Sequence, residues 1–262
     1  MPSIESEHVS IEVEGTRADV VITRPEKRNS LTGAAVRDLT EAVRAVEADD
    51  DVRAATLRGE GHVFCAGFDL EMMAGNDVRE HDALHRDFRE LLDTIDAMTT
   101  PTVAAVQGAG IAGGFELTLP CDFRVLGADA KYGVIEVDLG IFPHQGSTQR
   151  LPRLVGLAKA KELVLTGEFV DPTEADRINL VTEVVPGDEV DDRARELADD
   201  LTEKAPRGVE NALRAFSHTF DVPLGEGLDY EHAVAMEGYG TDDRREGFEA
   251  QLEGREPEFS GR

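Results

Sequence analysis

Residues 102–125 read TVAAVQGAGIAGGFELTLPCDFRV. An apolar run, TVAAVQ, leads into a stretch nearly free of side chains, and that stretch ends on a carboxylate, Glu116. Gly108, Gly110 and Gly113 spell G-x-G-x-x-G behind a strand pattern, the arrangement that cradles a dinucleotide pyrophosphate. The surroundings argue against that use. Such a fingerprint opens a helix of some three turns, whereas Pro120 stands only six residues beyond Gly114 and the next strand pattern, CDFRVLG (121–127), follows at once. Glu116 would also put an anion where a helix N-terminus should receive one. No Lys-Ser or Lys-Thr pair follows, so the stretch is not a P-loop. Bare glycines at a helix start serve equally as an oxyanion site. Unpaired N–H groups and the positive end of the dipole point outward there, and with no side chain on Gly113 or Gly114 a carbonyl oxygen can reach them. One turn on, Glu116 can handle a proton on the neighbouring carbon.

The flanking sequence frames this element. HVSIEVE (8–14) and ADVVITR (18–24) alternate around a glycine-containing turn and predict a hairpin. Residues 32–48 place Val36, Leu39, Val43 and Val46 on one helical face behind Thr32, a suitable N-cap. RAATLR (53–58) reads as a buried strand, 60–73 as a loop turning into a helix, and 83–97 as a helix with Leu84, Phe88, Leu91, Leu92 and Ile95 inward. Short strand-like pieces, KYG and IEVDLG, follow CDFRVLG. Beyond residue 147 the texture becomes helical: 148–165, 173–178, 188–203, 206–219, 224–238 and 242–252, interrupted by one strand at 180–185. Strands alternating with helices define an α/β core. The expected division is 1–200 for the core and 201–262 for a helical C-terminal region.

Asp and Glu number 54 against 27 Lys and Arg, a net charge of −27, and only five of the basic residues are lysine. The acidity is interleaved with an ordinary apolar pattern, so it belongs to a folded surface rather than a disordered tail. That balance disfavours nucleic acid as a partner and suits a cytoplasm of molar salt, where self-repulsion is screened; a halophilic source is expected. No apolar run is long enough to span a bilayer, and the acidic, alternating start does not resemble a signal peptide. Cys65 and Cys121 lack metal-ligand spacing, so a reducing, cytoplasmic setting is expected, with both acting as small buried hydrophobes.

Taken together, RPEKRNSLT (24–32), FCAGFDLEMM (64–73), PTVAAVQGAGIAGGFELTLPCDFRV (101–125), the stretch from AKYGVIEVDLGIFP to STQRLPRLVG (130–156), LTGEFVDPTEADRINLVTEVV (165–185) and TDDRREGFEA (241–250) resemble the enoyl-CoA hydratase/isomerase, or crotonase, superfamily. The resemblance covers nearly the whole chain. It implies a crotonase-like ββα spiral core with a helical C-terminal trimerisation region, assembled as a homotrimer or homohexamer. It implies an acyl-CoA thioester substrate, with coenzyme A entering as part of the substrate and no metal, flavin or nicotinamide. The oxyanion donors it implies are the backbone N–H groups of Phe68 and Gly113. The A-G-x-D loop, Ala66, Gly67, Phe68, Asp69 and Leu70, resembles the segment that holds the adenine and pantetheine, and Lys27 and Arg28 are positioned to pair with CoA phosphates or simply to face solvent. Asp69 fits better as a stabiliser of the loop and the following helix.

Glu116 and Glu136 match the two glutamates that add water across the double bond of a 2-enoyl-CoA in the hydratases. Each also has a plainer reading, Glu116 as a cap on the start of its helix from a first-turn position and Glu136 as a solvated acid at a strand end. Keeping both favours hydration. The match breaks at PHQGS (143–147), where His144 and Gln145 replace small residues. His144 can line the wall, crowd out the water, carry a proton or point away. Phe68 stands where hydratases often have alanine and narrows the acyl pocket. Hydration is therefore the leading expectation, an enoyl- or dienoyl-CoA isomerase the second, and a non-catalytic acyl-CoA-binding protein the third.

Overall fold

The computed structural model describes all residues, Met1–Arg262. The hairpin forms as its alternation requires. β1 (Val9–Glu14) pairs antiparallel with β2 (Arg17–Ile22) around Gly15, whose φ of +61° suits a glycine. β3 (Ala54–Gly59), β4 (Thr102–Val106), β6 (Phe123–Gly127) and β8 (Glu183–Val185) then add in parallel, giving a six-stranded sheet in the order β1-β2-β3-β4-β6-β8. Strands buried on both faces read as continuous apolar runs, and all of β2 and β4 is buried.

α1 (Gly33–Glu47) starts where Thr32 accepts the Ala35 N–H at 3.2 Å. It packs on α3 (Val78–Asp96), and both cover the sheet through the predicted apolar residues. α3 begins earlier than its apolar periodicity indicates. Asp77 and Glu80 form a capping box that extends it by more than a turn. On the other face α8 (Val190–Thr202) packs Val190, Ala194 and Ala198 against Ala54, Val103, Ala105 and Val125.

Three local expectations are corrected. GAGI contributes a strand, β5 (Ala109–Ile111), which pairs with β7 (Lys131–Gly133) in a separate small sheet. IEVDLG is not strand-like: Glu136–Leu139 form a 3-10 turn closed by Gly140 at φ +78°. The helix expected over 148–165 is two, α5 (Leu151–Val155) and α6 (Leu157–Thr166), because Gly156 sits at φ +80° between them. α7 (Pro172–Arg177) precedes β8, and α9 (Pro206–Phe216), α10 (Leu224–Gly238) and α11 (Asp242–Glu253) complete the chain. No residue of α9 is buried. Phe216, Phe220, Leu224, Leu228, Phe248 and Leu252 are exposed across this C-terminal region. No helix is long and apolar enough to cross a membrane.

Candidate active site

The loop after β3 is threaded against β5. Cys65 N–H donates to the Ala109 carbonyl at 3.0 Å, and Ile111 N–H returns to the Cys65 carbonyl at 3.1 Å. Leu31 closes the other side, donating to Gly67 O at 2.8 Å and accepting from Asp69 N–H at 2.9 Å. Between these anchors Gly67 turns the chain at φ +85°, and a Cβ there would stand 2.8 Å from the Ile111 carbonyl oxygen. The loop therefore passes directly over the start of α4 (Gly113–Thr118), a helix of only six residues. Gly114 explains part of the glycine run, since a Cβ on it would lie 2.2 Å from the Cys65 carbonyl oxygen. Ala112 enters α4 at φ +54°, ψ −121°, a strained conformation for a residue with a Cβ.

The N–H groups of Phe68 and Gly113 flank this crossing, and neither donates a hydrogen bond within the chain. The Phe68 ring lies over Gly113 and packs edge-on against Phe88 and His85, with ring centroids 5.0 and 5.3 Å away.

Glu116 is buried on α4. Its Oε1 accepts the backbone N–H groups of Gln145 at 2.9 Å and Ser147 at 3.1 Å. Burial raises its pKa, and those two donors pull the other way. Glu136 is buried at the head of its 3-10 turn and is raised to about 7, by burial first and the Glu116 charge second. The plainer readings of both acids fail: neither is solvated, and Glu116 is bonded to the 143–147 turn rather than to its own helix. Glu136 Oε2, Gln145 Oε1 and Ser147 Oγ are buried without a hydrogen-bond partner, three of only six such side-chain atoms in the chain. Orphaned buried polar groups are rare, so three of them on Glu136 and on the turn whose backbone binds Glu116 mark a place built for a polar reactant.

A cleft of about 760 Å³ opens against Gln145, lined also by Met73, His81, His85, Ile141, Phe142 and His144; neither glutamate lines it. His144 is exposed, its ring centroid 4.2 Å from that of His85 and its Nδ1 3.1 Å from the Phe142 carbonyl oxygen. His85 and His81, four apart on α3, share a face toward the cleft; that spacing was the available sequence signal for residues the apolar reading passed over.

The Asp69 carboxylate does not face outward. It caps α2 (Leu70–Gly75) through Glu71 N–H at 3.1 Å and Met72 N–H at 3.2 Å, which holds it below its ordinary pKa. Leu70 is exposed. Lys27 and Arg28 are exposed at the end of the 3-10 turn Pro25–Lys27, beside the loop, where Ala66 N–H donates to the Arg28 carbonyl at 3.1 Å. Cys65 and Cys121 are buried, and burial pushes both thiols up to about 12, which leaves them inert.

A backbone crossing with two free N–H groups beside two buried carboxylates defines a protein equipped to stabilise a developing oxyanion and move protons next to it. The chain belongs to the enoyl-CoA hydratase/isomerase family, whose model matches residues 12–262. It is 36% identical to a probable enoyl-CoA hydratase of Mycobacterium tuberculosis, over 93% of this chain and 94% of that protein. It is 34% identical to an enoyl-CoA isomerase/hydratase of Mycosarcoma maydis, over 93% and 92%. The crystal structure of enoyl-CoA hydratase from Bacillus anthracis superimposes with a TM-score of 0.95 at 32% identity, covering 98% of this chain and all of that one. Its fold is the crotonase fold expected from the sequence.

Proposed function

We propose that the chain hydrates a 2-enoyl-CoA thioester. The observation that carries this reading is the pair of buried carboxyls, Glu116 and Glu136, close enough for the charge of one to raise the other, with Glu136 Oε2 left unpartnered and the Ser147 hydroxyl facing Glu116. Moving a double bond needs only carboxyl groups near carbon. A pocket for water also needs donors and acceptors that the protein leaves open.

In this mechanism the thioester oxygen lies between the N–H groups of Phe68 and Gly113, which stabilise the enolate; a donor of this kind is worth about 3–4 kcal/mol of barrier. Glu116, whose carboxylate is stabilised by two N–H groups, takes a proton from water as its oxygen attacks the β-carbon. Glu136, held protonated by burial and by the charge of Glu116, gives its proton to the α-carbon. The Ala66–Leu70 loop takes the adenine and pantetheine, with Asp69 bracing its shape, and Lys27 and Arg28 meet the phosphates.

The test is loss of the conjugated absorbance of crotonyl-CoA in molar KCl. Rapid hydration, abolished in Glu116→Gln and Glu136→Gln, supports the reading. A folded protein that binds acyl-CoA without hydrating it overturns it in favour of the second reading, double-bond isomerisation. That alternative draws on the imidazole of His144, whose ring lies near that of His85 and whose charge acts on Glu136.

The exposed apolar residues of α9, α10 and α11 support a homotrimer or homohexamer, since a stable monomer rarely leaves such a surface open. Light scattering on the purified protein decides its mass.

A further inference from the structure

The PHQGS turn, where the chain departs from the family pattern, meets Glu116 through the backbone N–H groups of Gln145 and Ser147, with the Ser147 hydroxyl facing it, and the mechanism makes no use of the Gln145 side chain. Its Gln145 side chain is buried and spans from the turn to α3. Gln145 Nε2 approaches His85 Nδ1 at 3.2 Å and donates to the His85 carbonyl oxygen at 3.1 Å. The backbone N–H of the same residue donates to Glu116 Oε1 at 2.9 Å. One residue thus joins the helix over the cleft to the buried carboxylate. His85 in turn packs its ring edge-on against Phe68, which carries one of the two free N–H groups.

We propose that His85 and Gln145 are positioning residues, a strut between α3 and the 143–147 turn that fixes the donors on Glu116 and so sets the protonation state and orientation of that carboxylate. The proposal rests on the reading of Glu116 as the general base. An acceptor at His85 Nδ1 requires neutral imidazole. His85 meets that requirement over the physiological range, because burial and the neighbouring His144 and His81 depress it to about 4, with Asp82 opposing. The groups that face Glu116 are the N–H groups of Gln145 and Ser147, the Ser147 hydroxyl, the carboxyl of Glu136 and the more distant Arg150 guanidinium.

Gln145→Ala keeps the backbone N–H but releases the turn from α3. The two donors on Glu116 then slacken, and its pKa, already raised by burial, rises further. Turnover falls about tenfold with KM nearly unchanged, and the acid limb of the kcat profile moves up by about half a pH unit, the scale of one weakened hydrogen bond. His85→Ala retains its backbone carbonyl as acceptor and so loses only about threefold. The double variant is no slower than Gln145→Ala, because both act through one link.

A second readout needs no turnover. The Glu116 carboxyl band, assigned in the infrared spectrum of the ligand-free protein with Glu116→Gln, titrates at higher pH in both single variants. If the wild type hydrates nothing while this titration still moves, the strut stands and the hydratase reading falls. Unchanged titration and pH profile in His85→Ala and Gln145→Ala, or strictly additive losses, overturn the strut. Should Gln145→Ala fail to fold, His85→Ala carries the test by both readouts.

Discussion

The ring of Phe68 lies across the face of Gly113 where a side chain would project: a Cβ at Gly113 would stand 3.3 Å from Phe68 Cδ2 and Cε2. The two residues proposed to hold the thioester oxygen therefore define one another's space. A methyl group at Gly113 meets a ring that can shift by a few tenths of an ångström, so Gly113→Ala folds. The displaced ring and methyl then intrude on the oxygen's position, and kcat falls about 10²–10³-fold, the cost of an oxyanion donor. Gly114→Ala is different. Its Cβ would lie 2.2 Å from the Cys65 carbonyl oxygen, which is backbone and cannot rotate away. That variant loses stability rather than only rate. Thermal melts beside kinetics separate the two, and equal melting temperatures would refute the distinction.

Glu136 links activity and stability to pH. Its pKa is raised to about 7 in the folded protein, above the ordinary carboxyl value of 4.5. A raised acid costs the fold nothing below the unfolded pKa and an increasing amount as pH rises through the folded one. Glu136→Gln removes that cost. Its unfolding free energy should match wild type at pH 4 and exceed it at pH 8 by about 3 kcal/mol, with the melting temperature rising accordingly. In wild type the same ionisation removes the proton donor, so kcat/KM should decline as pH passes about 7. A stability difference independent of pH would remove Glu136 from the buried pair.

His144 separates wall from proton carrier. It is exposed and near the Phe142 carbonyl rather than either glutamate's hydrogen bonds. His144→Ala should hydrate crotonyl-CoA within about threefold of wild type, whereas losing a general acid or base costs about 10²–10⁴-fold. The same change should raise the relative kcat/KM for bulkier acyl groups by widening the cleft, and Phe68→Ala should do so by removing the ring that lies over Gly113. A collapse of crotonyl-CoA turnover in His144→Ala would make the imidazole chemical.

Much of this site is legible in the sequence, and for definable reasons. The short helix after GAGIAGG was readable from Pro120 and the strand that follows. The pairing of Glu116 with Glu136 is implied by the resemblance to the hydratases. Residues whose role depends on where two distant segments meet are not legible there. Nothing local at His85 announces that Gln145, sixty residues on, will reach it. Capping likewise misled: the apolar period of α3 starts at Leu84, but the box of Asp77 and Glu80 starts the helix at Val78. The 3-10 turn at Glu136 was hidden for a similar reason. IEVDLG alternates like a strand, and only Gly140 in a left-handed conformation closes it into a turn.

Salt tests the surface. With 54 acidic residues against 27 basic ones, repulsion among unpaired carboxylates opposes folding at low ionic strength. Salt also screens the attractive pairs, so the sign has to be argued. Most pairs, such as Arg86–Asp82 and Arg245–Asp242, are exposed and contribute little. The buried Arg17, bound to Asp19 at 3.0 Å and to Asp199 at 2.6 Å, is sheltered from screening. Repulsion therefore loses more than attraction as the screening length falls to ~3 Å at 1 M. Melting temperature should rise by about 10 °C between 0.2 and 2 M KCl. KCl is the right salt because sulfate would add stabilisation through exclusion from the surface. A flat or falling melting temperature would mean that the acidic excess is already balanced by local pairing, and it would remove the basis for expecting a high-salt setting.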